Sequence, residues 1–150
     1  MPDVICNSSG LIALDNIDML FLLKAVYGRI IITEEVREEF GKEAETWIIV
    51  THVTDRTRLA VLQATVDLGE ASTIALALES PNSLMILDDL KARKLAAYLH
   101  LKFTGVLGIL VKAKQQGVLD SVRDVLRRLQ AVNFRISPAM EQEILRLAQE

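Results

Sequence analysis

Leu84-Met85-Ile86-Leu87-Asp88-Asp89 is the stretch that decides the fold, because a short apolar run ends abruptly in two adjacent carboxylates. Such a run predicts a strand that is buried on both faces of a parallel sheet. In open α/β sheets, ligands bind at the carboxyl ends of the strands. Since two neighbouring anions repel each other, the pair suggests a cation with oxygen ligands, commonly Mg²⁺ or Mn²⁺. The alternative is a strand end followed by an acidic helix N-terminus, which the helix dipole stabilises.

The composition predicts one domain with an aliphatic core. The chain has 150 residues, of which 51% are hydrophobic and only 5% aromatic, which favours parallel α/β layers or a helical bundle. The net charge of −3 argues against a strongly basic nucleic-acid surface, although a bound metal could itself neutralise phosphates. Cys6 is the only cysteine, which excludes an intrachain disulfide and a cysteine-rich zinc site.

The chain shows no sign of membrane insertion. The longest uninterrupted apolar stretch, 106–111, is far too short to span a bilayer, and no N-terminal signal pattern is present. We therefore expect a soluble, cytoplasmic protein with no membrane partner.

Strand-like and helix-like segments alternate along the chain. Predicted strands lie at 4–6, 29–32, 47–53, 84–87 and 101–104. Predicted helices cover 11–26 (interrupted near Asp15-Asn16), the segment capped by Thr33, 56–66, 71–79, 90–99, 105–116, 120–131 and 138–148. This alternation predicts a parallel sheet with helices on both faces.

Polar residues fall where the strands of such a sheet end. Asn7 follows the first strand, Glu39 lies on the helix after the second, Glu70 lies near a helix start, and Asp88 and Asp89 end a later strand. The hydroxyl groups at comparable edges belong to Ser8, Ser9 and Thr104. We expect these side chains to approach one another, since the carboxyl ends of parallel strands share an edge.

The chain resembles PIN-domain proteins in several segments that occur in the right order. The segments are Val4-Ile5-Cys6-Asn7-Ser8-Ser9-Gly10-Leu11-Ile12-Ala13-Leu14, 32–40, Leu68-Gly69-Glu70-Ala71, Asp88-Asp89 with the residues to 96, and Thr104-Gly105-Val106-Leu107-Gly108. The resemblance extends over 4–117 and is closest to a prokaryotic PIN-like subgroup with a helical C-terminal extension.

The resemblance implies a three-layer α/β/α sandwich with a parallel sheet of about five strands. It implies a PIN-like domain over 1–117 and a helical extension over 118–150, packed on the same domain or at a dimer interface. It also implies endoribonuclease chemistry with Mg²⁺ or Mn²⁺, often as the toxin that an antitoxin protein neutralises, and often as a homodimer. RNA is then the expected substrate.

The resemblance also implies roles for individual residues. Glu70 and Asp88 or Asp89 would be metal ligands, directly or through water, and Glu39 would hold a metal-bound water. Ser8 or Ser9 would bind the scissile phosphate or orient Asn7, and Thr104 would contact substrate. Asn7 stands where PIN nucleases usually have Asp, so it can ligate a metal but brings no charge. Loss of a residue that only hydrogen-bonds a metal ligand already costs about 10–100-fold in metal affinity. We therefore expect the uncharged Asn7 to weaken the metal site.

Several of these residues have simpler interpretations. Glu39 belongs to a run of acids that could form a solvated helix face, and Glu70 could be a favourable first-turn acid. Ser8 and Ser9 could cap the following helix. The cations that could face RNA, or equally lie on solvated helix faces, are Lys91, Arg93, Lys94, Lys112, Lys114, Arg127 and Arg128. The sequence thus leaves two functions open: a metal-dependent ribonuclease, and a non-catalytic PIN-like module that binds nucleic acid or protein.

Overall fold

A computed structural model describes residues 2–150, within which the chain forms five strands and nine helices. The strands are β1 (Asp3–Cys6), β2 (Ile30–Thr33), β3 (Ile48–Thr51), β4 (Ser83–Ile86) and β5 (Phe103–Thr104). The helices are α1 (Ser8–Asn16), α2 (Phe21–Tyr27), α3 (Glu34–Phe40), α4 (Arg56–Leu62), α5 (Leu68–Glu79), α6 (Leu90–Tyr98), α7 (Val106–Gln115), α8 (Val122–Ala131) and α9 (Pro138–Leu147).

The strands form one parallel sheet in the order β3-β2-β1-β4-β5. β1 lies at the centre, and its last residue, Cys6, pairs with Ile86 at the end of β4. The residues that follow these two strands, Asn7 and Leu87, therefore leave the sheet side by side. The predicted parallel sheet is confirmed, and so is the strand-end position of Asp88.

Helices cover both faces of the sheet. Successive residues of a strand point to opposite sides, so these apolar strands present side chains on both faces, and both must be buried. Val4 and Cys6 belong to a core beneath α1, α2, α7, α8 and α9, whereas Ile5 belongs to a second core beneath α4, α5 and α6. Both cores are almost wholly aliphatic, as the low aromatic content requires. The predicted three-layer α/β/α arrangement is confirmed.

Two helices begin earlier than predicted, for reasons that lie in their caps. α1 begins at Ser8 rather than at Leu11, because Asn7 is already the extended N-cap residue. α5 begins at Leu68, because Asp67 accepts from the Glu70 N–H while the Glu70 side chain accepts from the Asp67 N–H. The predicted cap of α3 is confirmed, since the Thr33 hydroxyl accepts from the Val36 N–H at 3.1 Å.

α8 and α9 pack against α7. Their buried residues belong to the core that also contains Val4, Cys6 and the buried side of α1. These residues are Val122, Val125, Leu126, Leu129, Ile144 and Ala148. The Arg128 guanidinium also donates to the Ile17 carbonyl oxygen beyond α1. The division of the chain after residue 117 stays a prediction. Over residues 2–150, no helix is both long enough and apolar enough to cross a membrane.

Candidate active site

Three carboxylates line one cleft at the carboxyl end of β4. Glu70, Asp88 and Asp89 all border a space of about 690 Å³, and the exposed Ser9 borders it as well. The structure therefore brings together three of the five residues predicted as catalytic, and one of the three predicted to bind substrate.

Asp88 is held in place by the start of α7. Its Oδ1 accepts from the Val106 N–H at 3.1 Å, and the Arg93 guanidinium nearby is fixed by a 2.6 Å bond to the Leu87 carbonyl oxygen. Burial raises the pKa of Asp88, while the Val106 N–H and the charge of Arg93 act in the opposite direction. A Cβ on Gly105 would collide with both Arg93 and Asp88, so this close approach requires glycine.

Asp89 has a different partner from its neighbour. It is the N-cap residue of α6, and its Oδ2 accepts from the Ala92 N–H at 3.0 Å. The interpretation as an acid at a helix start is therefore confirmed for Asp89, which nevertheless remains exposed on the cleft. One adjacent pair of carboxylates thus meets the N-termini of two helices, where anions are favoured.

Glu70 is the most buried of the three acids, with 8% of its surface exposed. Burial, together with the negative charges of Asp67 and Asp89, raises the pKa of Glu70 to about 7. Its position in the first turn of α5 confirms the helix-start interpretation, but a cap alone does not require burial beside two other acids. A carboxylate in this setting is stabilised in its charged form by a cation.

Asn7 does not border the cleft, and its side-chain oxygen has no hydrogen-bond partner within residues 2–150. The residue is only 3% exposed, its N–H donates to the Ile86 carbonyl oxygen at 3.1 Å, and its side-chain Oδ1 is buried and unpartnered among the described residues. An orphaned buried acceptor is unfavourable, because it has lost water without gaining a donor. A hydrogen-bond donor such as water or a substrate hydroxyl would satisfy it, and so would a cation.

Ser8 and Glu39 form a pair beside the cleft rather than on its lining. Ser8 Oγ donates to Glu39 Oε1 at 2.6 Å, and the Glu39 carboxylate lies over Gly69 in the first turn of α5. The interpretation of Ser8 and Ser9 as caps is wrong, since both lie inside α1. Glu39 is exposed, as on the predicted acidic face, yet it is also directed toward the helix that carries Glu70.

Thr104 also lies outside the residues that border the cleft. It is half-buried at the end of β5, and its hydroxyl approaches Gly108, which does line the cleft.

Six further residues that line the cleft were not predicted as site residues from the sequence. They lie between α8 and α9 and on α9: Phe134, Arg135, Ile136, Ser137, Met140 and Ile144. Ser137-Pro138 marks the start of α9 correctly, and the Ser137 hydroxyl accepts from the Met140 N–H. No local pattern, however, tells which part of the molecule this helix start will face.

The described residues do not form a complete acidic metal cage. Within 2–150, no group of three or more His, Cys, Asp or Glu side chains is arranged to hold a metal ion. The chain has the amide Asn7 at the end of β1, where the family resemblance led us to expect an acid.

Comparisons with known proteins agree with this architecture. A family model described as a PIN domain matches residues 3–150, a range that includes every element from β1 to α9. Searches of curated proteins and of solved structures found no match. PIN domains have a nuclease-type fold and generally use divalent metal ions. Since the model matches nearly the whole chain, the protein belongs to the PIN-domain family.

Proposed function

We propose that the protein is a divalent-metal-dependent endoribonuclease whose metal site is weakened by Asn7. The observation that supports this most directly is the cleft lined by Glu70, Asp88 and Asp89. Burial and acidic neighbours raise the pKa of Glu70, which is the pattern expected where a cation normally compensates like charges.

The donor atoms fit a hard cation such as Mg²⁺ or Mn²⁺. All the candidate ligands are oxygens, and the orphaned Oδ1 of Asn7 would gain the partner it lacks. Glu70, Asp88 or Asp89, and Asn7 would hold the ion directly or through bound water, since no three acids within residues 2–150 are placed to hold it on their own. When bound, it would activate a water molecule and neutralise charge on the phosphate.

The chain's own residues supply position and access. The backbone N–H groups of Val106 and Ala92 hold Asp88 and Asp89, so neither carboxylate must be ordered when substrate arrives. Ser9 borders the cleft and can donate to a phosphate oxygen there. Ser8 fixes Glu39, which can then hold a water molecule above the start of α5.

A second candidate function is a non-catalytic PIN module that binds nucleic acid or protein. It is favoured by the uncharged Asn7 and by the lack of a three-acid metal group within 2–150. In that case the acidic cleft would be a remnant, and binding would depend on other surfaces.

RNA cleavage in Mg²⁺ and in Mn²⁺ separates the two functions. We expect wild type to cut single-stranded RNA. The variants Asp88→Asn, Asp89→Asn and Glu70→Gln should cleave it at least about 10–100-fold more slowly, which is the effect of losing a partner at a metal site. Asp120→Asn is the matched control, because Asp120 is exposed and does not line the cleft. Undiminished cleavage by all three cleft variants would contradict the assigned site. An inactive wild type that binds no metal would favour the module.

Asn7→Asp tests the weakened site. The change replaces an amide by a carboxylate of nearly the same shape at a buried strand end, so the fold should persist. We expect tighter Mn²⁺ binding by calorimetry and faster cleavage than in wild type, because the ion gains a charged ligand. Weaker metal binding by the Asn7→Asp variant would contradict the role given to this position.

The toxin role, an antitoxin partner and a homodimer stay predictions from the family. Growth arrest on expression, relieved by Asp88→Asn, would support the toxin role. Light scattering of the purified chain would give the oligomeric state.

A further inference from the structure

The cleft is lined by two groups of residues with different chemistry. One group is the three carboxylates, and the other is the segment 134–137 with Met140 and Ile144. Met140 is 47% exposed and Phe134 is half-buried, so apolar surface reaches the cleft.

The α8–α9 loop, residues 132–137, is fixed at both ends. At the end of α8, Asn133 has a left-handed backbone (φ 67°) and the Phe134 N–H bonds to the Leu129 carbonyl oxygen at 3.0 Å. At the start of α9, the Ser137 hydroxyl accepts from the Met140 N–H at 3.1 Å. A ligand that meets this loop therefore loses little free energy in ordering it.

Arg135 is the cation of the α8–α9 loop, and nothing within residues 2–150 pairs with it. It is exposed, borders the cleft, and takes part in none of the ion pairs or hydrogen bonds formed there. Arg93, the other cation on the cleft, is already occupied by the Leu87 carbonyl oxygen and lies 5.2 Å from the centre of the Phe103 ring. Arg135 is therefore free to bind an anion that enters the cleft.

The α8–α9 loop also borders a second open cleft. A space of about 760 Å³ shares residues 134–137 with the first cleft and is also lined by Gln130 and Asn133. A ligand that passes over the loop would leave the acids and meet two amides, which can donate to and accept from base edges.

We propose that the α8–α9 loop binds an extended single strand of RNA beside the cleavage site. This inference rests on the proposed function. Arg135 binds the phosphate next to the scissile one, and Phe134 and Met140 contact an unstacked base. The strand continues over the loop toward Gln130 and Asn133. A duplex keeps its bases stacked inside, so it cannot use these contacts.

Fluorescence anisotropy with a labelled single strand of about 12 nucleotides tests the proposal. Ca²⁺ replaces Mg²⁺ as a hard cation for the oxygen ligands, and a denaturing gel after each titration verifies that the RNA is intact. Arg135→Gln should raise the Kd about tenfold, as expected for loss of one charged hydrogen bond, and should lower the slope of log Kd against log salt by about 0.7. Arg135→Lys should keep most of the affinity.

Arg127→Gln is the matched control, since Arg127 is an exposed arginine of α8 that borders neither cleft. Its Kd should equal that of wild type, and a duplex of the same sequence should bind more weakly than the single strand. Three results would overturn the inference. They are a wild-type Kd in the Arg135→Gln variant, an equal loss of affinity in the Arg135→Gln and Arg127→Gln variants, and equal affinity for duplex and single strand.

The two proposals fail separately. Cleavage by wild type with no effect of Arg135→Gln on binding or rate would leave the nuclease and remove the RNA-binding role of the loop. Binding that depends on Arg135, without cleavage in any metal, would keep that role and remove the nuclease. A wild type that binds no RNA would overturn both.

Discussion

Asp88 and Asp89 are neighbours in sequence with different partners in space. Asp88 meets the N-terminus of α7 and Asp89 meets that of α6, so each is satisfied by a backbone N–H of its own. Sequence periodicity located the pair at a strand end, but it could not assign these partners, because they depend on where two later helices begin. Glu70 differs from both, because its pKa is raised by burial and by the charges of Asp67 and Asp89. The approach of Asp89 depends on the tertiary structure and could not be read from the local sequence.

Glu70→Gln should change the pH dependence of stability in EDTA. The pKa of Glu70 rises from 4.5 to about 7 on folding, so the folded state holds a proton that the unfolded state has released. The stability of wild type should therefore fall as the pH rises from 4.5 to about 7. Above pH 7 the loss should reach up to about 2 kcal/mol, a figure reduced for solvent screening at the cleft. Glutamine does not titrate and can still accept from the Asp67 N–H.

Urea unfolding near pH 4 and near pH 8 measures this effect. The variant should match wild type at the lower pH and exceed its stability at the higher one. Saturating Mn²⁺ should then stabilise wild type more than the variant. A constant stability difference at all pH values would contradict the raised pKa.

Gly69→Ala should disturb Glu39 without unfolding the protein. The added Cβ would meet the Glu39 carboxylate, which ends an exposed and flexible side chain and can move away. Because alanine also favours the helix, we expect stability to stay equal or to increase by up to about 1 kcal/mol. RNA cleavage should fall about tenfold, as in Glu39→Gln. Full activity of Gly69→Ala would show that the position of Glu39 is irrelevant.

At the scale of elements, α8 is capped from two directions. The Ser121 hydroxyl accepts from the Asp124 N–H, as in an ordinary N-cap. In addition, the Glu150 carboxylate accepts from the Val122 N–H at 2.7 Å and binds the Lys114 ammonium of α7 at 3.0 Å. A residue beyond α9 thereby ties α7, α8 and α9 together, a contact that local sequence patterns could not predict.

Glu150→Gln should destabilise the protein in a way that fades in acid. Burial acts to raise the pKa of Glu150, but the Val122 N–H, Lys114 and the Arg123 N–H prevail and lower it to about 2. The folded pKa lies below the ordinary 4.5, so the stabilisation is complete above pH 4.5 and is lost as pH falls toward 2.

Urea unfolding at several pH values follows this loss. We expect the variant to be less stable by about 1–2 kcal/mol near pH 7, a figure reduced for solvent screening, and the difference to shrink below about pH 4. Glu141→Gln is a suitable control, since Glu141 is an acid on α9 with no ion pair within residues 2–150. A difference that grows in acid would contradict the assignment.

At the scale of the whole molecule, sequence predicted the alternation of strands and helices, the parallel sheet and three of the acids that line the cleft. Those features follow from short-range patterns together with the rule that parallel strands share an edge. The part of the cleft lining that comes from the α8–α9 loop and α9 was not predictable, because its position depends on how α8 and α9 pack on α7. For the same reason, Glu39 was placed on the correct helix but not above Gly69.

Leu126→Ala tests whether the C-terminal helices unfold together with the sheet. Leu126 is fully buried in the core shared with β1, so its truncation should cost about 2–5 kcal/mol, whereas Leu147→Ala, 43% exposed, should cost less than about 1 kcal/mol. Circular dichroism and the fluorescence of Trp47, which precedes β3, should report one common transition. Separate transitions would indicate that residues 118–150 unfold as an independent unit.

The buried amide of Asn7 also bears on how this lineage could change with time. Codons for Asn and Asp differ only at their first base, and the two side chains are nearly identical in shape. The Asn7 side chain forms no hydrogen bond within residues 2–150, so replacing its amide nitrogen by oxygen would break none. A point mutation therefore suffices to add or remove the charge. Under the proposed function, descendants of one ancestral gene could alternate between a strong and a weak metal site without rebuilding the sheet around it.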